Sequence, residues 1–159
     1  MVIRYYTAPD VKRLVDKMVA DLHFTHINPD CVYCFRSEGS KSRRTVARIH
    51  SLEKLWQKAL KTAPRYLIEV IGERYDKLSQ ANQEKVLIHE LLHIPKGFSG
   101  GFKPHKGYID EKTINRLHHL YTRQRTSAER SSTAGIQSLT RGLSLRLKHA
   151  SKSENLKKH

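Results

Sequence analysis

The stretch Val86-Leu87-Ile88-His89-Glu90-Leu91-Leu92-His93-Ile94-Pro95 decides the fold expected of this chain. Its apolar residues recur at helical spacing, and Pro95 lacks the backbone N–H that would continue a helix, so a helix from about Ala81 to Ile94 is predicted. His89 and His93 are four residues apart and therefore share one face of that helix, one turn apart. Both imidazoles can then reach a single Zn²⁺ ion at about 2.0–2.1 Å.

The carboxylate of Glu90 stands beside the first of these histidines. In a His-Glu-x-x-His helix a glutamate there can take a proton from zinc-activated water, as the general base of a metal hydrolase. Zinc would lower the pKa of that water towards about 7 and would polarise a carbonyl group. The alternative is an ordinary helix with two surface histidines, but a predicted strand before the helix and further ligands after it favour a metal site.

A catalytic zinc needs three protein ligands and one open position. His105 is the leading third ligand, twelve residues after His93 across a glycine-rich loop that can fold back beneath the helix. Glu111 is the rival, since it lies 18 residues after His93, near the start of the next predicted helix. Further candidates in that helix are His118 and His119.

Hydrophobic periodicity and turn residues predict five further elements. They are a helix that Thr7 caps and that continues to Leu22, a strand from Cys31 to Phe35, a helix from Ser51 to Leu60, a strand from Tyr66 to Ile71, and a helix from Asp110 to Arg123. The helix from Ser51 is expected to bury Leu52, Leu55 and Trp56, with Leu60 at its end. Together these elements predict an α+β fold.

Residues 86–96, followed by Phe98-Ser99-Gly100-Gly101 and Pro104-His105-Lys106, resemble the metallopeptidases of archaea and phages. Residues 37–48 and 66–78 also look like that family, and the resemblance covers roughly Asp21 to Leu120. It implies a minimal zincin-like domain, in which a small sheet packs on the active-site helix with supporting helices around it. It also implies peptide-bond hydrolysis, with His89, His93 and His105 as metal ligands and Glu90 as the catalytic residue.

In zincins the strand before the active-site helix often forms a sheet edge against which an extended substrate pairs. Tyr66 to Ile71 is expected to have that position. Tyr108, three residues after His105, is a candidate oxyanion stabiliser, a role that requires a donor aimed at the developing charge. A packed loop tyrosine is the alternative.

A second metal site is conceivable upstream, because His23, His26, Cys31 and Cys34 are four potential ligands at short spacing. Two reduced, partly buried thiols are the simpler interpretation of the cysteine pair.

The formal net charge is +15, from 30 Lys+Arg against 15 Asp+Glu. Such an excess predicts attraction to polyanions. Arg43, Arg44, Arg48 and a basic, Ser-rich tail over residues 125–159 are candidate DNA or RNA contacts, with residues 1–124 as the folded domain. Two alternative functions follow, namely a nucleic-acid-binding protein with a structural or inactive zinc helix, and a protease recruited to nucleic acid. A basic, solvated surface without such a partner is equally compatible with this charge.

No apolar run approaches the roughly 18–20 residues that span a bilayer, so no membrane span is expected. The N-terminus has no long apolar segment typical of a signal peptide. Two cysteines do not make a secreted disulfide framework. A cytoplasmic enzyme acting on peptide or protein substrates is therefore the expectation.

Overall fold

The computed structural model describes residues 2–107, 109–127 and 130. The chain separates into one unit, Met1–Tyr121, and a second, Thr122–His159. Most of the predicted basic tail lies outside the described residues, and the boundary between residues 124 and 125 stays a prediction. The architecture below is that of the first unit.

A four-stranded sheet lies at the centre of this unit. Its strands are β1 (Arg4–Thr7), β2 (Val32–Glu38), β3 (Ala47–Ser51) and β4 (Tyr66–Ile71). Their spatial order is β1-β2-β4-β3, with β2 and β4 parallel and the other two pairs antiparallel. The helices are α1 (Pro9–Asp21), α2 (Lys54–Ala59), α3 (Gly72–Tyr75), α4 (Gln80–Leu92) and α5 (111–121 within this unit), with a 3-10 turn at Pro29–Cys31. This arrangement confirms the predicted α+β class.

The core forms mainly between the sheet and the helices α1 and α4. From β4, Ile68 and Val70 are fully buried and belong to the same apolar cluster as one stripe of each helix. The stripe residues are Val11, Val15, Met18, Leu87, Ile88 and Leu91. Burial of these side chains fixes which face of α4 points away from the core, and that face carries the histidines.

Helix termini follow local capping chemistry. The Ser79 hydroxyl accepts from the N–H of Asn82 at 3.4 Å at the start of α4, within a residue or two of the predicted start. The carboxylate of Asp110 accepts from the N–H of Thr113 at 2.6 Å, as expected for the cap of α5. The predicted cap of α1 was wrong, because Thr7 belongs to β1 and Ala8 precedes the helix without a side-chain hydrogen bond.

The predicted helix from Ser51 to Leu60 was wrong in its start and its burial. Ser51 is the last residue of β3, paired with Tyr66, and the helix begins only at Lys54. The side chains expected in the core are instead solvent-exposed, at 78% for Leu55, 58% for Trp56 and 59% for Leu60. Pairing with β4 imposes an extended backbone through Ser51 and overrides the local helical pattern.

Two strand predictions also need correction. The predicted strand from Cys31 to Phe35 begins at Val32, because Cys31 closes the 3-10 turn, and it continues three residues beyond its predicted end, to Glu38. β4 matches its predicted bounds but is not an edge, since β2 and β3 pair with its two sides. The edge next to α4 is β3.

Within the described part of the chain, no helix combines the length and apolarity required to cross a bilayer.

The exposure of Trp56 leads to a stability prediction. Ile68→Ala should lower the free energy of unfolding by about 2–5 kcal/mol, because it removes buried atoms and leaves a cavity in the core. Trp56→Ala should change it by no more than about 0.5 kcal/mol, because the indole packs little. Urea denaturation followed by circular dichroism measures both, and equal losses would contradict the position assigned to Trp56.

Candidate metal centre

Three histidines meet at the C-terminal end of α4. His89 belongs to the last turns of the helix, His93 is its C-cap residue, and His105 comes from the loop that follows it. The Nε2 atom of His89 lies 3.1 Å from Nε2 of His105 and 3.3 Å from Nε2 of His93. In the described part of the chain these histidines form the only group of three or more potential ligands within 4.8 Å of one another.

The spacing of these nitrogens fits a tetrahedral metal ion. Two imidazole nitrogens bound to zinc at about 2.0–2.1 Å with a tetrahedral angle lie about 3.3–3.4 Å apart. The distances of 3.1 and 3.3 Å are close to that value. Without a cation, the lone pairs of neighbouring ring nitrogens would repel one another. A proton on one ring could relieve this repulsion for only some of the pairs.

Hydrogen bonding fixes the tautomer of His93. Its Nδ1–H donates to the backbone carbonyl of Lys103 at 2.8 Å, which leaves the Nε2 lone pair free to point at its neighbours. The N–H of Lys103 donates in turn to the carbonyl of His93, also at 2.8 Å. These two bonds, the His93–Lys103 clasp, orient the ligand ring and attach the loop to the end of α4.

His89 and His93 are held in the neutral form that binds a metal. Burial, and after it the nearby His93 and His105, lower the pKa of His89 to about 4. Burial likewise lowers the pKa of His93. Metal binding requires a neutral imidazole ring, whose nitrogen lone pair is free. The lowered pKa keeps these rings neutral at neutral pH and therefore favours metal binding over protonation.

Tyr66 holds the loop that carries the third histidine. The buried Tyr66 hydroxyl donates to the carbonyl of Gly101 at 3.0 Å and accepts from the N–H of Gly100 at 2.9 Å. Its ring packs against Phe98 and Phe102, at centroid distances of 5.0 and 6.2 Å. Sequence reasoning placed Tyr66 in a strand but missed this role, for which the paired glycines were the only local signal.

Gly100 is required by both conformation and space. Its φ of +84° lies in the left-handed region, which side chains disfavour. A Cβ there would lie 2.2 Å from Nε2 of Gln57 and 2.9 Å from the carbonyl oxygen of Leu52. The loop can therefore approach the segment after β3 only with glycine at this position.

Glu90 lies beside the histidines, with only 8% of its surface exposed. Burial raises the pKa of its carboxyl to about 7, while a hydrogen bond with the backbone of Ile49 acts in the opposite direction. A cation bound to the histidines would favour the carboxylate and lower this pKa again. Burial therefore favours the protonated carboxyl group, and a bound cation would favour the carboxylate.

Two cavities meet at this carboxylate. The larger cavity, about 490 Å³, extends from His89 and Glu90 along the first half of α4 to the start of α5. The second cavity, which we call the histidine cavity, has a volume of about 370 Å³ and is lined by all three histidines and by Phe102. Ala47, at the beginning of β3, lines both. A chain passing along β3 would therefore have space on each side of Glu90.

The rival third ligands have other positions. Glu111 lines the larger cavity but does not belong to the group of three ligand atoms. His118 Nε2 lies 2.7 Å from the buried carboxylate of Glu84 and so ties α5 to α4. His119 is exposed on α5.

The structure does not assemble the second ligand set into a group of three within 4.8 Å. The Cys31 thiol accepts a hydrogen bond from Asn28 at 3.6 Å, and burial raises the pKa of the Cys34 thiol to about 12. His26 packs edge-on against Phe24. A buried, protonated Cys34 is a poor metal ligand, which agrees with the simpler interpretation of the cysteine pair.

Tyr108, the candidate oxyanion stabiliser, lies outside the described residues. Of the arginines predicted to contact nucleic acid, Arg44 lines the larger cavity, and Arg48 lies 3.7 Å from the carboxylate of Glu69. Arg43 is exposed. Nucleic-acid binding by these residues and by the tail stays a prediction.

The three-histidine geometry predicts the pattern of metal loss. We expect Zn²⁺ binding to weaken strongly when any of the three ring nitrogens is removed, in His89→Ala, His93→Ala or His105→Ala. The loss should exceed the factor of about 10–100 that is typical when a residue that only orients a ligand is replaced. His119→Ala, an exposed histidine of the next helix, is the matched control and should bind as the unaltered protein does. Competition with a chromogenic chelator measures the affinity. If His105→Ala binds Zn²⁺ as tightly as the unaltered protein, His105 is not the third ligand.

The Tyr66 anchor predicts a smaller effect from a residue that does not touch the metal. Tyr66→Phe removes one hydroxyl and leaves both Gly100 and Gly101 without that partner, so Zn²⁺ affinity should fall about 10-fold. The free energy of unfolding should fall by about 1–3 kcal/mol. Tyr5→Phe, which alters an exposed tyrosine of β1, should change neither quantity. Equal affinities for the two variants would show that the anchor does not position His105.

A comparison with models of protein families assigns the chain to one family. The model described as "Putative phage metallopeptidase" matches residues 3–131, which include the whole sheet, α1 to α5 and the three histidines. No curated protein and no solved structure matches the chain. Because the match spans most of the chain, the resemblance in the sequence is confirmed, and the chain belongs to the phage metallopeptidase family.

Proposed function

We propose that this protein is a zinc-dependent peptidase, with a zincin-like domain in which His89, His93 and His105 bind the metal and Glu90 is the general base. The observation that carries this proposal is the position of a nearly buried carboxylate beside three imidazole nitrogens spaced at 3.1–3.3 Å. Membership of a metallopeptidase family supports a hydrolase that uses a metal. A cytoplasmic location is part of the same proposal.

Zinc, when bound, would supply Lewis acidity and a water of lowered pKa. The work of the protein is to hold its ligands and to move a proton. Glu90 accepts a proton from the attacking water and returns it to the amine that leaves when the C–N bond breaks. Its pKa, raised towards 7 by burial and lowered by a nearby cation, suits both transfers at neutral pH.

The substrate would bind along β3. This edge strand pairs with β4 on one side only, so the backbone groups of its other side, apart from the Ile49 group that bonds to Glu90, can bond to an extended peptide. Ala47 and Ile49 of β3 line the histidine cavity, so a peptide on this edge lies next to Glu90. The substrate-binding strand in this proposal is thus Ala47–Ser51 and not Tyr66–Ile71. The proposed mode of binding, addition of an extended peptide to a sheet edge, is unchanged.

Glu90→Gln tests the proton-transfer role. The variant should retain zinc, because the glutamate is not a ligand, and should cleave peptides at least about 100-fold more slowly, because an amide cannot accept the proton. Glu53→Gln, an exposed glutamate before α2, makes the same chemical change away from the site and should leave cleavage unaltered. A digest of denatured casein gives the rate, and atomic absorption gives the zinc content.

Two results would contradict the proposal in different ways. Cleavage by Glu90→Gln at the unaltered rate would show that another group is the base. A wild-type protein that holds stoichiometric zinc and cleaves neither casein nor a peptide pool would show that the site does not hydrolyse peptides.

A further inference from the structure

The larger cavity combines an apolar wall with charge. Val46, Val86 and Ile114 form apolar parts of its lining. Its basic residues are Arg44 and Lys85, and its acidic residues are Glu90 and Glu111. It is continuous with the reacting groups, because His89 and Glu90 also line it. Its volume, about 490 Å³, is in the range of cavities that enclose a ligand group rather than a single water.

The two cations reach this cavity from opposite elements. Lys85 precedes His89 by four residues, so it lies one helical turn away on the same face of α4. Arg44 lies in the segment that leads into β3, three residues before Ala47. A side chain entering from the β3 edge would therefore meet a positive group on each wall.

Both cations are available for a ligand. Neither Arg44 nor Lys85 forms an ion pair with a carboxylate of residues 2–107 or 109–127 within 4.0 Å. Glu111 is at the first turn of α5, where the free N–H groups of the helix already favour its negative charge. Glu90 and Glu111 match the two cations in number, but neither forms an ion pair with Arg44 or Lys85 within 4.0 Å, so both cations can attract an anion that enters the cavity.

We propose that this cavity is a specificity subsite for an acidic substrate side chain, glutamate or aspartate, adjacent to the scissile peptide bond. The carboxylate lies between Arg44 and Lys85, and its methylene groups pack on the apolar wall. This inference rests on the proposed peptidase function and adds a substrate class to it. A basic side chain is rejected, because two positive groups face it.

The first experiment uses a peptide library made from a whole proteome with a protease of unrelated specificity. Wild-type, zinc-loaded protein cleaves the library, and mass spectrometry reads the residues on both sides of each new terminus. We expect glutamate and aspartate to be enriched at one position next to the cleaved bond, with lysine and arginine depleted there. Enrichment of apolar residues alone at that position would overturn the inference and leave the peptidase function intact.

The second experiment uses one cleaved sequence with Glu, Gln or Lys at the selected position. The wild type should show a kcat/KM about tenfold higher for Glu than for Lys, as expected from two partly solvated ion pairs. Lys85→Glu and, separately, Arg44→Glu should abolish or invert this ratio. Lys58→Glu makes the same charge change on the exposed α2, outside both cavities, and should preserve the ratio.

Binding separates recognition from chemistry. The zinc-loaded Glu90→Gln protein should bind a fluorescent Glu peptide about tenfold more tightly than the Lys peptide, and Lys85→Glu in that background should remove the difference. Because Arg44 lies outside the helices, Arg44→Glu provides the same test if Lys85→Glu fails to fold.

The failures are distinguishable. Equal cleavage of the three peptides, or an equal loss of preference in Lys58→Glu, would overturn the acidic subsite alone. No cleavage of any peptide by the zinc-loaded wild type would overturn the peptidase proposal, and the subsite with it.

Discussion

The central constraint on this structure is the convergence of three imidazole rings. The Nε2 atom of His89 lies 3.1 Å from that of His105 and 3.3 Å from that of His93. Such an arrangement is unfavourable by itself and becomes favourable when a cation accepts the lone pairs. Two of the rings are fixed by the pitch of α4, since residues four apart on a helix share a face. The third is fixed only if the glycine loop returns to the end of that helix.

That return depends on contacts from two directions. The His93–Lys103 clasp secures the loop near the helix, and the hydroxyl of Tyr66 secures it near the sheet. Burial of Ile68 and Val70 in the core holds β4, and therefore Tyr66, in place relative to α4. The geometry of the three-histidine group thus depends on the packing of the sheet as well as on the helix that positions His89 and His93.

The sequence was sufficient for the local parts of this arrangement and not for the distant ones. His89, His93 and Glu90 follow from helical periodicity, and His105 was favoured because a glycine-rich loop can fold back. The loop anchor joins residues 34 apart at Gly100 and Tyr66, so no local pattern reveals it. A long-range contact also explains the error at α2. Ser51 pairs with Tyr66 in the sheet, so the helix begins at Lys54 and not near Ser51, and Trp56 is exposed to solvent.

The open edge of β3 has a consequence for copies of the chain as well as for a substrate. An edge that accepts any extended backbone can also accept the edge of a second molecule, which is the first step of sheet-to-sheet association. The backbone hydrogen bonds are the same in both cases, so the edge itself cannot discriminate. A net charge of +15 opposes the approach of two identical molecules while leaving a polypeptide of opposite charge free to approach. The same basic composition that attracts polyanions therefore also disfavours pairing of this edge with a second copy of the chain.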